Sequence, residues 1–282
     1  MFYGLSKMVA ICHINDSRAD KSAVETMLEC TEALNEVQAV RLVSQSTSQD
    51  AFLFCRGIFR EELLVAGAGA GAAVPILSVL TAEHVRHLFN FGYTICDHFA
   101  DDTAVDAVCE LANASLELRG AGPDKDSPAA DGVHWITPQP RTARKDVTTW
   151  LGEGHPLAAP LTPAFDLLQA DLCAIARLRS KREMQLACYL GPGDGYKRHT
   201  DARPEIDMQG AERKVTAIVY CNQDWRIEHG GALQLRLADH QGGGVLNVEP
   251  KGGRLLLFLS GCMMHEVLPS YYRRLAVTCW FR

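Results

Sequence analysis

Four residues towards the C-terminal end of the chain carry side chains that could do chemistry together: His199 and Asp201 in YKRHTDARP, and His265 and Arg274 in HEVLPSYYRRLAVTCWF. In a strand, residues i and i+2 project from one face, so His199 and Asp201 can reach a common point. His265 alone reads as a turn residue close to Pro269. Together, two imidazoles and one carboxylate can hold one face of an octahedral metal and leave the opposite positions open.

That openness favours iron over zinc. Three protein ligands leave room on Fe(II) for a bidentate 2-oxo acid and for O2. Zinc with the same ligands would be a four-coordinate hydrolytic site. Such a site needs a general-base carboxylate near the metal. No H-E-x-x-H occurs, and Glu266 should point away from His265 along a strand. Arg274 offers a rigid two-pronged donor for a carboxylate, which Lys could not reproduce. Arg274, Ala276, Thr278 and Trp280 would share one strand face, with Arg273 on the surface side. Tyr220 shares a face with Thr216 and Ile218; it reads either as core or as a second donor to that carboxylate. Tyr189, in an apolar strand, reads as core on physics alone.

The bulk of the chain suits such a site without naming a substrate. The 282 residues fit one large domain or a domain with an extension. A net charge of −6 gives no basic surface for nucleic acid. We read the basic run Arg177, Arg179, Lys181 and Arg182 as decorating a helix C-terminus. The ten cysteines include no C-x-x-C pair, which argues against structural zinc and for a reducing compartment. No secretory signal is evident. The uncharged stretch Leu63–Leu80 is poor material for a membrane span, having glycines and Pro75 where leucines are needed. The expected location is cytoplasmic or nuclear, with no membrane or nucleic-acid partner and a monomer as the default.

Periodicity divides the chain at about residue 72. Residues 1–72 form an extension with an amphipathic helix over Ser22–Gln38, a loop at Ser44–Asp50 and a flexible Gly/Ala run at 67–71. Residues 73–282 form the second unit. In it we expect a helix from Ser78 leading to a strand at Tyr93–Asp97. A helix over Thr103–Asn113 follows, with Val105, Val108 and Leu111 inward. Next come a mobile loop at 119–132, a short strand at His134–Ile136 and a helix over Pro163–Leu178. From Met184 onwards short alternating segments are separated by glycine-rich turns: 184–190, 197–201, 214–221, 231–237, 245–249, 254–259, 264–268 and 273–281. The fold class is therefore α+β: a double-stranded β-helix, or jelly roll, over about 184–282, with supporting N-terminal helices.

The segments ACYLGPGDGYKRHTD, RKVTAIVYCNQDW, GGALQL, EPKGGRLLLFLS and HEVLPSYYRRLAVTCWF together resemble the prolyl 4-hydroxylase branch of the Fe(II)/2-oxoglutarate dioxygenases. Within it they most resemble the soluble oxygen-sensing type that modifies hypoxia-inducible factor or, in simpler eukaryotes, a ubiquitin-ligase adaptor. The resemblance spans about 75 to 282 and is weakest over 119–132, implied to be the loop that closes over the peptide. It implies that His199, Asp201 and His265 ligate Fe(II), and that Arg274 and Tyr220 bind the distal carboxylate of 2-oxoglutarate. It places Tyr189 and Thr278 in the co-substrate pocket, and Arg213 and Trp280 at the entrance where the proline is presented. O2 is the second co-substrate, ascorbate is a candidate reductant, and the partner is a proline-containing protein. Two residues follow Trp280, so the expectation is a relative of the shorter kind, lacking the C-terminal helix and the zinc finger of animal members. Two rival readings are a hydroxylase acting on a ribosomal or translation-factor proline, and a silent jelly-roll binding module. The latter has no physical need for all four residues.

Overall fold

A computed structural model of the chain describes residues 52, 55–60, 76–118, 131–139, 141–202, 212–237 and 243–282. The helix, loop and Gly/Ala run expected before residue 72 lie outside the described residues, as do most of the 119–132 loop and the start of the apolar stretch from Leu63. No helix among the described residues is long and apolar enough to cross a membrane.

Helix α1 (Ala82–Phe91) starts at Thr81, whose hydroxyl accepts from the His84 amide while the His84 ring accepts from the Thr81 amide. Ser78, expected as the cap, does something else. The amides of Ser78, Val79 and Leu80 all donate to the buried carboxylate of Asp171, at 2.8, 2.7 and 2.9 Å. Helix α1 stops at Gly92 in the left-handed conformation and feeds β1 (Tyr93–Cys96). Helix α2 (Asp102–Leu118) is capped by Asp101, which accepts from the Ala104 amide at 2.8 Å. It runs past the expected end at Asn113. Its buried stripe is Val105, Val108, Ala112 and Ser115, and Leu111 is exposed.

His134–Ile136 does not become a strand, because Ile136 makes only an isolated bridge to Thr148. Its partner belongs to a strand the sequence reading did not contain, β2 (Val147–Trp150). Helix α3 (Thr162–Ile175) buries Phe165, Leu168, Leu172 and Ile175 completely. It ends before the basic run, so Arg177–Arg182 is no helix terminus. Arg177 instead reaches the Gly57 carbonyl, the Arg179 amide joins the Arg282 carbonyl, and Arg182 pairs with Asp166 and Gln169. The run ties the backbone at Gly57 and at Arg282 to α3 and the sheet.

The eight expected segments become β3 (Arg182–Tyr189), β4 (Asp194–His199), β5 (Val215–Tyr220), β6 (Leu233–Arg236), β7 (Val245–Val248), β8 (Leu255–Leu259), β9 (His265–Ser270) and β10 (Arg274–Phe281). Together with β1 and β2 they make an antiparallel jelly roll. A six-stranded sheet has the order β1-β8-β5-β10-β3-β2, and a four-stranded sheet has the order β4-β9-β6-β7.

Strand alternation gives the six-stranded sheet two faces of different use. One carries Leu186, Cys188, Val215, Ala217, Val219, Leu255, Leu257, Leu275, Val277, Cys279 and Phe281 into the main core, with α1, α2 and α3 behind it. Phe52 and Phe59 join that same core, and Phe59 meets Phe89 edge-on at 5.2 Å. The other face turns Ala187, Tyr189, Ile218, Tyr220, Ala276, Thr278 and Trp280 towards the four-stranded sheet. The space between the sheets is where chemistry can be housed.

Candidate metal and co-substrate site

Between the sheets lies a pocket of about 140 Å³, whose wall includes His199, Asp201, His265, Arg274, Thr278 and Trp280. His199 is the last residue of β4 and His265 the first of β9, and the two are directly paired across the ladder. Their rings are 4.3 Å apart. Asp201 lies beyond the end of β4, so the expectation that it shares a strand face with His199 is corrected. A bend, not the strand, brings its carboxylate in.

One ligand atom from each of His199, Asp201 and His265 lies within 4.8 Å of the others. The tautomers of the two neutral rings follow from their neighbours. The Nδ1 of His199 is 2.8 Å from the Lys197 carbonyl, and the Nδ1 of His265 is 3.0 Å from the Met263 carbonyl. A carbonyl only accepts, so both Nδ1 atoms carry the hydrogen. When the rings are neutral, as metal ligation requires, both Nε2 atoms present lone pairs towards Asp201 Oδ1, at 3.5 and 3.7 Å. Burial lowers the His265 pKa, favouring the neutral ring. Three electron-rich atoms converging without a proton between them repel one another, and a divalent cation relieves that repulsion. The donor set of two neutral imidazoles and one carboxylate fits Fe(II).

The second group of residues stands across the pocket. Arg274, only 3% exposed, has no carboxylate partner among the described residues; its Nε donates to the Gly231 carbonyl at 2.7 Å. Its guanidinium carbon is 4.9 Å from the Tyr189 ring centre and 5.2 Å from that of Tyr220. Among the described residues the buried Tyr220 hydroxyl has no well-formed hydrogen-bond partner, and the Arg274 side chain lies beside it. Burial pushes that phenol up to about 12, against the pull of the Arg274 and Arg254 charges, so it remains a donor. A buried guanidinium with no carboxylate beside it costs free energy unless an anion from outside completes the pair. A carboxylate of 2-oxoglutarate has the required charge and shape.

Gly231 makes this arrangement possible. Its φ is +71°, and a Cβ there would stand 2.8 Å from Arg274 Cδ. The glycine pair of EHGG thus does more than punctuate the strands.

The remaining expected residues also line the pocket, with one change of emphasis. Thr278 is half-buried on the pocket face. Arg213 lies 3.7 Å over the Trp280 ring and pairs with Glu183 at 3.0 Å. Trp280 is only 6% exposed, and its indole N–H donates to Asp201 Oδ2 at 3.0 Å. Arg273 is exposed, and Glu266 pairs with Arg198 at 2.8 Å. The sequence reading missed Thr216 and Ser260 behind Asp201, and Arg144 and Tyr196 at the wall. Hydroxyls inside apolar strands carry little signal in a sequence, although alternation does put Thr216 on the same strand face as Tyr220.

Residues 184–282 match the 2OG-Fe(II) oxygenase superfamily. The chain is 32% identical over 204 residues to human (Homo sapiens) prolyl hydroxylase EGLN3, covering 69% of this chain and 80% of that protein. The chain belongs to the 2OG-Fe(II) oxygenases. With the rat (Rattus norvegicus) Egl nine homolog 1 this oxygenase shares 38% identity over 106 residues, which cover 37% of this chain and 30% of that protein. Among solved structures, a Pseudomonas putida prolyl-4-hydroxylase matches at 29% identity and a TM-score of 0.57, over 71% of this chain and 97% of that one. A prolyl hydroxylase from Trichoplax adhaerens, in complex with a hypoxia inducible factor peptide fragment, matches at 27% identity and a TM-score of 0.52, over 70% and 86%. The oxygenase is thus a dioxygenase of the Fe(II)- and 2-oxoglutarate-using family, homologous to prolyl hydroxylases.

Proposed function

We propose that this dioxygenase hydroxylates a proline of a regulatory protein at C4 and serves in oxygen sensing. The observation that carries the reading is the relationship to prolyl hydroxylase EGLN3 across 80% of that protein's length. The convergence of His199, Asp201, His265 and Arg274 on one pocket supports it. The Trichoplax relative adds support, being a prolyl hydroxylase that holds a hypoxia inducible factor peptide fragment.

In this reading His199, Asp201 and His265 hold Fe(II). Arg274 and Tyr220 take the distal carboxylate of 2-oxoglutarate, while Tyr189 and Thr278 line its channel. When bound, iron and 2-oxoglutarate together supply the oxidation: O2 is consumed, the co-substrate becomes succinate and CO2, and one oxygen enters the substrate C–H bond. The chain's own part is to bind, orient and exclude water. Arg274 and Tyr220 fix one end of the co-substrate so that its other end faces the histidines. The neutral imidazoles point their lone pairs inward, and the apolar wall of Ile218, Leu233, Val267 and Ala276 limits water. Arg213 and Trp280 stand where the proline would enter. Ascorbate is the proposed reductant for stray oxidation of the metal. A monomer in the cytoplasm or nucleus is the proposed setting.

The test is anaerobic loading with Fe(II) and 2-oxoglutarate, followed through the visible charge-transfer band, and then addition of O2 with candidate peptides. A hypoxia-inducible-factor peptide and a ribosomal-protein peptide are compared by mass spectrometry for one added oxygen and for coupled succinate. Hydroxylation of the ribosomal peptide alone would replace the regulatory substrate. A folded protein with no band would overturn the dioxygenase site.

A further inference from the structure

The carboxylate of Asp201 is the one member of the metal-facing set that its own strand does not position, since β4 ends at His199. What holds it is a group of residues from β5, β10 and the end of β8. The amides of Asp201 and Ala202 both donate to the Ser260 carbonyl at 3.2 Å. The Oδ2 atom accepts from Trp280 Nε1 at 3.0 Å and from Thr216 Oγ1 at 2.9 Å. Behind Thr216 stands Ser260, with the two hydroxyl oxygens 2.7 Å apart and both residues fully buried.

The direction of this chain of hydrogen bonds is fixed by chemistry. An ionised carboxylate only accepts, so Thr216 spends its single hydrogen on Asp201. Ser260 must then donate to Thr216. The order is Ser260 O–H to Thr216 O–H to Asp201 Oδ2, each bond polarising the next. Oδ2 is thereby occupied by two protein donors. Oδ1, which faces the Nε2 atoms of His199 and His265 at 3.5 and 3.7 Å, is left for a metal.

We propose that Thr216 and Ser260 are positioning residues that, with the Trp280 indole, hold Asp201 as a one-oxygen metal ligand through Oδ1. Trp280 then acts on the carboxylate as well as on the pocket wall. The inference rests on the metal reading of His199, Asp201 and His265. It adds to that reading two buried hydroxyls that touch neither metal nor substrate. Partners that orient a ligand in this way are worth about 10–100-fold in metal affinity.

Mn(II) binding to the metal-free full chain, followed by loss of the free-ion electron paramagnetic resonance signal, tests the idea without turnover. Wild type and Asp201→Ala come first: equal binding by both would sink the metal reading itself, separately from this inference. Given a difference, Thr216→Val keeps the side-chain shape and removes the donor, and about a 10-fold weaker Mn(II) affinity is expected. Thr216→Ser restores the hydroxyl and should return the affinity to the wild-type range. Ser260→Ala reads the relay from its far end and should weaken binding in the same direction by less, which keeps the test available should Thr216→Val not fold. Thermal unfolding of each metal-free variant is recorded alongside. Wild-type affinity in both Thr216→Val and Ser260→Ala would overturn the proposal. So would a loss in Thr216→Val that Thr216→Ser shares, because that would be packing and not the hydrogen bond.

Discussion

Tyr196 is stacked on His199, with ring centroids 3.8 Å apart and planes inclined by 23°. The Arg144 guanidinium covers the Tyr196 ring, 4.5 Å from its centre, and Arg144 is itself tied to the buried Asp146 through Nε at 2.8 Å. His199 is only half-buried, so the stack does for its ring what burial does for His265. Tyr196→Ala should therefore free the His199 ring and weaken metal binding by about 1 kcal/mol, roughly 5-fold, while Tyr196→Phe retains it. Mn(II) titration of both variants checks this; equal loss in Phe and Ala would place the effect in the hydroxyl.

Arg274→Lys keeps the charge but loses the two-pronged geometry. The apparent affinity for 2-oxoglutarate should fall by about 10–100-fold, the loss expected when a charge-assisted hydrogen bond goes unmade. Metal affinity should not move. Co-substrate titration of the charge-transfer band measures the first and Mn(II) binding the second.

Gly231→Ala should act on the same carboxylate site from behind. A non-glycine residue at a φ of +71° is strained by about 1–2 kcal/mol, and its Cβ would press on Arg274 Cδ. Both the unfolding midpoint in urea and the affinity for 2-oxoglutarate should drop. A drop in stability alone would show that Arg274 moves aside without consequence.

Metal should stabilise the fold because it binds only the assembled site. At 100 times its dissociation constant the gain is about 2.7 kcal/mol. Mn(II) should raise the thermal midpoint of the wild type, a chelator should reverse the rise, and His199→Ala should abolish it.

Acid should weaken one fastening far from the metal. Arg254 hydrogen-bonds Asp97, with Nη2 3.1 Å from Oδ2, and this holds the Asp97 carboxyl below the usual carboxylate range. Because the folded pKa is depressed, the stabilisation is present above the unfolded value of about 3.9 and is lost as pH falls through the folded one. Asp97 is half-exposed, so the effect is at most about 1 kcal/mol. Urea unfolding of wild type and Asp97→Asn should differ at neutral pH and converge in acid.

Much of this arrangement was legible in the sequence because it rests on period. The eight segments after Met184 stand out as short apolar runs between glycine-rich turns, and Arg274, Ala276, Thr278 and Trp280 lie on one face as a strand's period of two requires. The convergence of His199 with His265 was legible as residue types, not as pairing, since the register that sets them opposite each other depends on contacts far apart in the chain. Asp201 arrived at the expected place for the wrong local reason: it is held by Ser260, Thr216 and Trp280 rather than by β4. β2 was missed because Val-Thr-Thr-Trp has no apolar alternation, and its edge pairing with β3 supplies the order. The basic run at 177–182 was misread because nothing local marks the end of α3 at Ile175.

The alternation that turns Tyr189 and Thr278 towards the pocket turns Cys188 and Cys279 away from it. Burial pushes both thiols up to about 12, so the thiolate that oxidants attack is scarce there at neutral pH. The sheet therefore keeps these two thiols on the far side from the place where oxygen is handled. Met264, 41% exposed and adjacent to His265, has no such wall. Wear from misfired turnover should accumulate on that exposed methionine, as sulfoxide, before it reaches the buried thiols.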